Sequence, residues 1–164
     1  MRKSARFAVS FLSVTIAAAS FAADLRPLKE PAKIAGVFPA AAKVRVLNVW
    51  ATWCGPCVTE MPDLRAIDDA FGPEVAMAGV SLDDMIPDAK AASVASFLDK
   101  QKIAFPNVYY TGNLDALADE LRFTGEIPIT IVYDKKGNEL WRHQGLLDRS
   151  QTIAQVRALL RRMQ

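Results

Sequence analysis

The string Cys54-Gly55-Pro56-Cys57 holds the only two cysteines of this chain. Residues 44–52 before it are rich in Val, Leu and Trp with no polar alternation, the pattern of a strand buried on both faces. Residues 56–71 after it carry Met61, Leu64, Ile67 and Phe71 at helical spacing. The pair therefore falls where a buried strand turns into a helix. Backbone N–H groups at a helix start lack partners and carry partial positive charge. A thiolate there is stabilised, so its pKa falls and it can attack a disulfide at neutral pH. Cys54 lies on the N-cap side and can face solvent, whereas Cys57 lies in the first turn and is less exposed. Pro56 suits that turn, where its missing N–H is not needed. The placement predicts that Cys54 attacks and Cys57 resolves the mixed disulfide.

Three other uses of two cysteines fit less well. A zinc site needs about four ligands, and His143 is the only histidine. A purely structural bridge would close a very short loop and stabilise little. Two inert core cysteines would leave the Gly-Pro between them without a purpose. Met61, Met77, Met85 and Met163 are too scattered for a copper-binding cluster and read as core and surface.

The rest of the chain reads as one α/β domain. Residues 23–42, with Pro27, Pro31, Gly36 and Pro39, form an irregular lead-in with room for one short edge strand. Residues 43–164 form the domain itself. A second apolar strand is expected over 75–80, a helix over 93–101 and a short strand over 108–110. A further helix over 114–121 has Asn113 as its N-cap. Residues 129–134 and 139–143 flank Lys135-Lys136-Gly137-Asn138, a hairpin signature. The last helix starts near Asp148, whose spacing to Gln151 resembles a capping box, and carries Ile153, Val156, Leu160 and Met163 as its apolar stripe. This order predicts a mixed central sheet with helices on both faces and an antiparallel edge. No internal repeat is visible.

Residues 1–22 read as an export signal. Arg2, Lys3 and Arg6 make a positive start, residues 7–19 are apolar apart from Ser10, Ser13 and Thr15, and Ser20-Phe21-Ala22 places small residues for cleavage before Ala23. The alternative is an uncleaved anchor, for which the run is short. Either reading takes the chain out of the cytoplasm, and the periplasm is the expected compartment. Without that segment 17 basic residues face 18 acidic ones, a net charge of −1. Such a domain offers no electrostatic footprint for nucleic acid. Arg157, Arg161 and Arg162 near the end read as a solvated helix face.

The string Trp50-Ala51-Thr52-Trp53-Cys54-Gly55-Pro56-Cys57 resembles the active site of the thioredoxin superfamily, most closely its TlpA/ResA-like exported branch. The resemblance extends from about residue 44 to about residue 160. Pro62 matches the proline within the active-site helix, and Glu60 matches the acidic residue usual in the branch. Gly79-Val80-Ser81 with Leu82-Asp83-Asp84 resembles its strand end, and Gly145 the glycine after its last strand. Gly125-Glu126-Ile127-Pro128 resembles the cis-proline loop, which implies a cis bond at Pro128 where sequence alone gives trans as the default. There are departures. Asn48 stands where cytosolic thioredoxins carry a buried acid, a change the branch shares, and the lead-in lacks the usual Asp-Gly hairpin.

The resemblance implies a thioredoxin-like fold and a periplasmic protein-disulfide reductase, working through the redox-active Cys54–Cys57 disulfide with no other cofactor and no metal. Implied partners are disulfide-bearing proteins, such as apocytochrome c or copper-site proteins, and a membrane thiol that donates electrons to a monomeric protein. Glu60, three residues after Cys57 and so on the same helix face, is the expected proton acceptor or modulator of the thiols. Trp53, Pro56, Ile127 and Pro128 are the expected substrate contacts, and Ile127 resembles the reducing members of the superfamily. Trp50 reads as core and His143 as a strand residue with no catalytic role. Two alternatives stand beside the reductase: a thiol-based copper-binding chaperone, and a disulfide oxidase or isomerase on the same fold.

Overall fold

The computed structural model describes residues 22–163. The expected export signal lies, except for Ala22, outside the described residues. The chain runs β1 (Leu25–Leu28), a 3₁₀ helix (Pro31–Val37), β2 (Val44–Trp50), α1 (Gly55–Asp69) and β3 (Val75–Ser81). A short 3₁₀ turn (Asp83–Met85) leads to α2 (Ala91–Gln101), β4 (Asn107–Tyr110) and α3 (Leu114–Leu121). The hairpin β5 (Ile129–Asp134) and β6 (Glu139–Gln144) precedes the final α4 (Arg149–Arg161). The strands form one sheet in the order β1-β4-β3-β2-β5-β6. The first four are parallel, and β5 and β6 run antiparallel at one side. Among the described residues no helix is long and apolar enough to cross a membrane.

The two faces follow from side-chain alternation along β2. Asn48 bonds to Glu60 of α1, and the Trp50 ring lies 5.5 Å from Phe97 of α2, so even-numbered positions face α1 and α2. The helix α4 packs beside α1. Arg45 and Leu47 point the other way. With Ile34, Phe38 and Leu121 they line a cavity of about 340 Å³ between the sheet, the first 3₁₀ helix and α3. The thioredoxin-like α/β architecture with helices on both faces is thereby observed. Because both faces of β2 are covered, residues 46–50 are buried without a break, Asn48 included.

Local chemistry explains the element ends. Asn113 Oδ1 accepts the Ala116 N–H at 2.8 Å and caps α3, and Asp148 Oδ1 does the same for Gln151 N–H at 2.8 Å in α4. The buried seam of α4 is Thr152, Val156 and Leu159, with Ile153, Leu160 and Met163 half-buried beside it. It is turned from the expected stripe because the Thr152 hydroxyl satisfies itself on Asp148 O at 2.7 Å and can then be buried. The lead-in holds more structure than its prolines suggest. Strand β1 pairs with β4, and Ile34 and Phe38 join the core. At Gly79 a Cβ would come 1.9 Å from Asn107 Oδ1, the atom that accepts the Trp50 Nε1–H at 3.0 Å. Only glycine lets β3 pass that bond, which anchors the end of β2 just before the cysteines.

Candidate active site

The buried β2 ends at Trp50, and the Ala51–Trp53 turn closes with the Cys54 N–H on Ala51 O at 3.2 Å. Cys54 is the N-cap of α1, and its Sγ accepts the Cys57 N–H at 3.2 Å. The sulfur thus takes the place a serine or aspartate oxygen fills in ordinary caps. Pro56 follows in the first turn, exposed, and Cys57 comes next on the buried side. Cys54 and Cys57 are joined in a disulfide, with Cα atoms 5.2 Å apart. Cys54 is 7% exposed and Cys57 is wholly buried. Only Cys54 can be reached by a second molecule without moving the helix. A thiolate on Cys54 would inherit both the Cys57 N–H and the positive helix end.

Beside the cysteines, Trp53 is 45% exposed while Trp50 is buried, as the sequence predicts. The Ile127–Pro128 bond is cis, and Ile127 O approaches Cys54 Sγ to 3.7 Å. Pro128 itself is buried. Its carbonyl accepts the Gly145 N–H at 2.9 Å and a Gln144 side-chain N–H at 3.1 Å. Ile127 is half-buried, and so of this pair it is the residue with surface to offer.

Behind Cys57, on the same buried face of α1, lies Glu60, 1% exposed. Its Oε1 accepts Asn48 Nδ2–H at 2.9 Å, and its Oε2 accepts the Leu147 N–H at 3.2 Å. Asn48 Nδ2 also donates to Thr130 Oγ1 at 3.0 Å, across the β2–β5 pair. Asn48 Oδ1 is buried with no partner. Burial drives the Glu60 pKa from 4.5 up to about 7, and nearby Asp63 adds to the rise. The bonds from Asn48 and Leu147 and the field of His143 hold it down. His143, expected to be an inert strand residue, sits cross-strand from Thr130 and is part of this environment. Burial thus brings Glu60 into the range where a carboxyl can take up or release a proton near neutral pH.

Sequence reasoning missed a second buried carboxylate. Asp83, 2% exposed, accepts Ser81 Oγ–H at 2.7 Å and the Thr52 N–H at 3.2 Å, and the Thr52 hydroxyl bonds to it as well. It ties the turn before the cysteines to the end of β3. Thr130 and the Leu147 N–H were missed too. The one available signal was Thr130 itself, a polar residue inside the apolar run 129–132. Among the described residues no group of three or more His, Cys, Asp or Glu side chains could hold a metal ion.

Comparison with known proteins agrees with this geometry. The chain is 29% identical over 98 residues to the thioredoxin-like protein YneN of Bacillus subtilis, covering 60% of this chain and 54% of that one. It is 36% identical over 61 residues to the thiol-disulfide oxidoreductase ResA of Oceanobacillus iheyensis, covering 37% of this chain and 30% of that one. It superposes on the thioredoxin-related protein from Neisseria meningitidis serogroup B with a TM-score of 0.60 and 29% identity, covering 71% of this chain and 84% of that one. The chain spans about half the length of the curated relatives it matches first. Residues 30–155 match the AhpC/TSA family. With a redox-competent cysteine pair capping its first helix on a thioredoxin-like sheet, the chain belongs to the AhpC/TSA family.

Proposed function

We propose that this chain is an exported protein-disulfide reductase that acts through Cys54 and Cys57 and needs no cofactor beyond that pair. The observation that carries the reading is the placement of the two sulfurs: Cys54 caps α1 and keeps 7% of its surface exposed, and Cys57 lies wholly buried behind it. In the reduced protein the Cys54 thiolate attacks one sulfur of a substrate disulfide. A Cys54–substrate disulfide forms, and the first substrate thiolate leaves and takes a proton. Cys57 then gives up its proton and attacks Cys54 Sγ. The Cys54–Cys57 disulfide forms, the second substrate thiolate leaves, and two electrons have passed to the substrate. Glu60 receives the Cys57 proton, a task its pKa of about 7 suits. Trp53, Pro56 and Ile127 contact the substrate chain, and Pro128 holds the Ile127 carbonyl beside the sulfur.

The pair is returned to the dithiol by a membrane thiol donor, and substrates are periplasmic proteins such as apocytochrome c or copper-site proteins. Export rests on the residue pattern of 1–22, and cleavage of that segment leaves a mature chain that begins at Ala23. Insulin reduction tests the activity. The native protein precipitates the insulin B chain in the presence of a thiol donor, and Cys54→Ser does not. Equal turnover by both removes the reading.

A further inference from the structure

Arg45 stands near the start of β2, on the face of the sheet turned away from Asn48 and Glu60. From Arg45 to Trp50, where the strand hands the chain on to the cysteines, is about 17 Å at the rise of a β-strand. The cavity of about 340 Å³ on this face thus lies across the sheet from Glu60 and at the far end of β2 from Cys54. Its floor is apolar. Ile34 and Phe38 come from the first 3₁₀ helix and its C-cap, Leu47 from β2 and Leu121 from α3, and all four are buried. Its mouth is open, because Ala35, Arg122 and Gly137 line it and are exposed. Small-molecule sites run from about 300 to about 1,000 Å³, so this volume suits a small ligand.

The polar groups of the lining favour an anion. The Arg45 guanidinium lies 5.9 Å from the centre of the Phe38 ring. Its Nε is buried and bonded to no protein acceptor, and among the described residues Arg45 enters no ion pair. A buried donor on a charged group is costly without an acceptor, and a ligand oxygen in the cavity removes that cost. Tyr133, the cross-strand partner of Arg45, adds a hydroxyl to the lining. The acid opposite Tyr133 on β6 is already neutralised, since Glu139 is held by Arg142 at 2.7 Å and by Arg122 at 2.5 Å. The C-terminal end of α3 would repel an anion, but Arg142 covers it, donating to Leu121 O at 3.0 Å and to Arg122 O at 2.7 Å. Of the lining residues only Glu120 is acidic, and it is exposed at the rim.

We propose that this cavity binds a small carboxylate with an apolar body. The carboxylate accepts the Nε–H and a terminal N–H of Arg45 as a planar fork, and the body fills the space over Ile34, Phe38, Leu47 and Leu121. A guanidinium has donors and no acceptor, so a cationic ligand finds no partner there, and a neutral amide offers one uncharged oxygen in place of two charged ones. The site depends on no redox state of Cys54 and Cys57, and it stands whether or not the pair reduces proteins.

The test is calorimetric titration of the full chain with octanoate, octanamide, octylammonium and acetate, with amide NMR shifts to locate the site. Octanoate binds roughly tenfold tighter than octanamide, the scale of a hydrogen bond to a charged group. Octylammonium, with the charge reversed, and acetate, without the apolar body, each bind roughly tenfold or more below octanoate. The octanoate shifts centre on residues 34–38, 45–47 and 121–122. Arg45→Met keeps the apolar stem, removes the fork and brings octanoate within about twofold of octanamide. Ala35→Trp fills the mouth from an exposed position and weakens both ligands roughly tenfold. Both variants reduce hydroxyethyl disulfide at the native rate, the check that they fold. If Arg45→Met does not fold, the native titrations, the shift map and Ala35→Trp still decide. Absence of saturable octanoate binding, equal affinity for octanoate and octanamide, binding that survives both substitutions, or shifts on another face of the protein overturns the site.

Discussion

Replacing Glu60 with Gln removes a buried titration, and the structure gives the sign and size of the effect. Burial raises the Glu60 pKa from 4.5 to about 7, so the folded interior favours the protonated form. Between those two values the folded chain holds a proton that the unfolded chain has released. Stability is therefore full below pH 4.5 and falls as pH rises to about 7. The loss is about 3 kcal/mol, at about 1.4 kcal/mol per tenfold change in proton affinity. In Glu60→Gln the side-chain oxygen still accepts from Asn48, but the Leu147 N–H loses its acceptor. That costs about 1–2 kcal/mol at every pH. The native protein should be the more stable of the two near pH 4.5 and the less stable above pH 7. Urea unfolding of both oxidised proteins at four pH values across that range measures the difference directly. Shifts common to other titrating groups cancel in it. A difference that stays constant from pH 4.5 to 7.5 would refute the assignment of a raised pKa to Glu60.

Asn48→Ala removes a bond that holds the Glu60 pKa down, so the Glu60 midpoint should move upward in carbon-detected NMR titration; no movement would show that the amide does not tune the acid. Cys57→Ser should trap a mixed disulfide on Cys54, visible as a substrate adduct by mass spectrometry, and Cys54→Ser should not; equal trapping would reverse or void the roles of the two sulfurs. Glu60→Gln should also lower the pKa of at least one active-site thiol, because a neighbouring carboxylate opposes a thiolate. Superimposable iodoacetamide alkylation profiles for native protein and variant would confine Glu60 to the fold.

Much of this was legible in the sequence because local chemistry fixed it. The unalternating run before Cys54 announced a central strand, since only a strand covered on both faces tolerates it. Asn113 and Asp148 announced their helices because each side chain caps its own element. The cysteine spacing named the reactive end of α1. What stayed hidden is set by distant contacts. Asp83 stands in the sequence only as one of two adjacent acids after a strand end, and nothing local says that it bonds to Thr52, 31 residues away. Glu60 was visible as a helix-face acid, but its raised pKa comes from burial by elements distant in sequence, with Leu147, 87 residues later, bonding to its carboxylate. The turn of the α4 seam toward Thr152 depends on a hydroxyl bonding back to Asp148, which apolar periodicity does not record.

In the proposed reaction Cys54 and Cys57 deliver electrons to substrate disulfides. The reduction potential of the pair, from redox equilibration with glutathione or dithiothreitol buffers and a thiol-alkylation readout, tests it most directly. A reductant requires a value near about −270 mV, at which the pair reduces ordinary protein disulfides. A value near about −120 mV would mean that the same two sulfurs oxidise their partners, and would contradict the account.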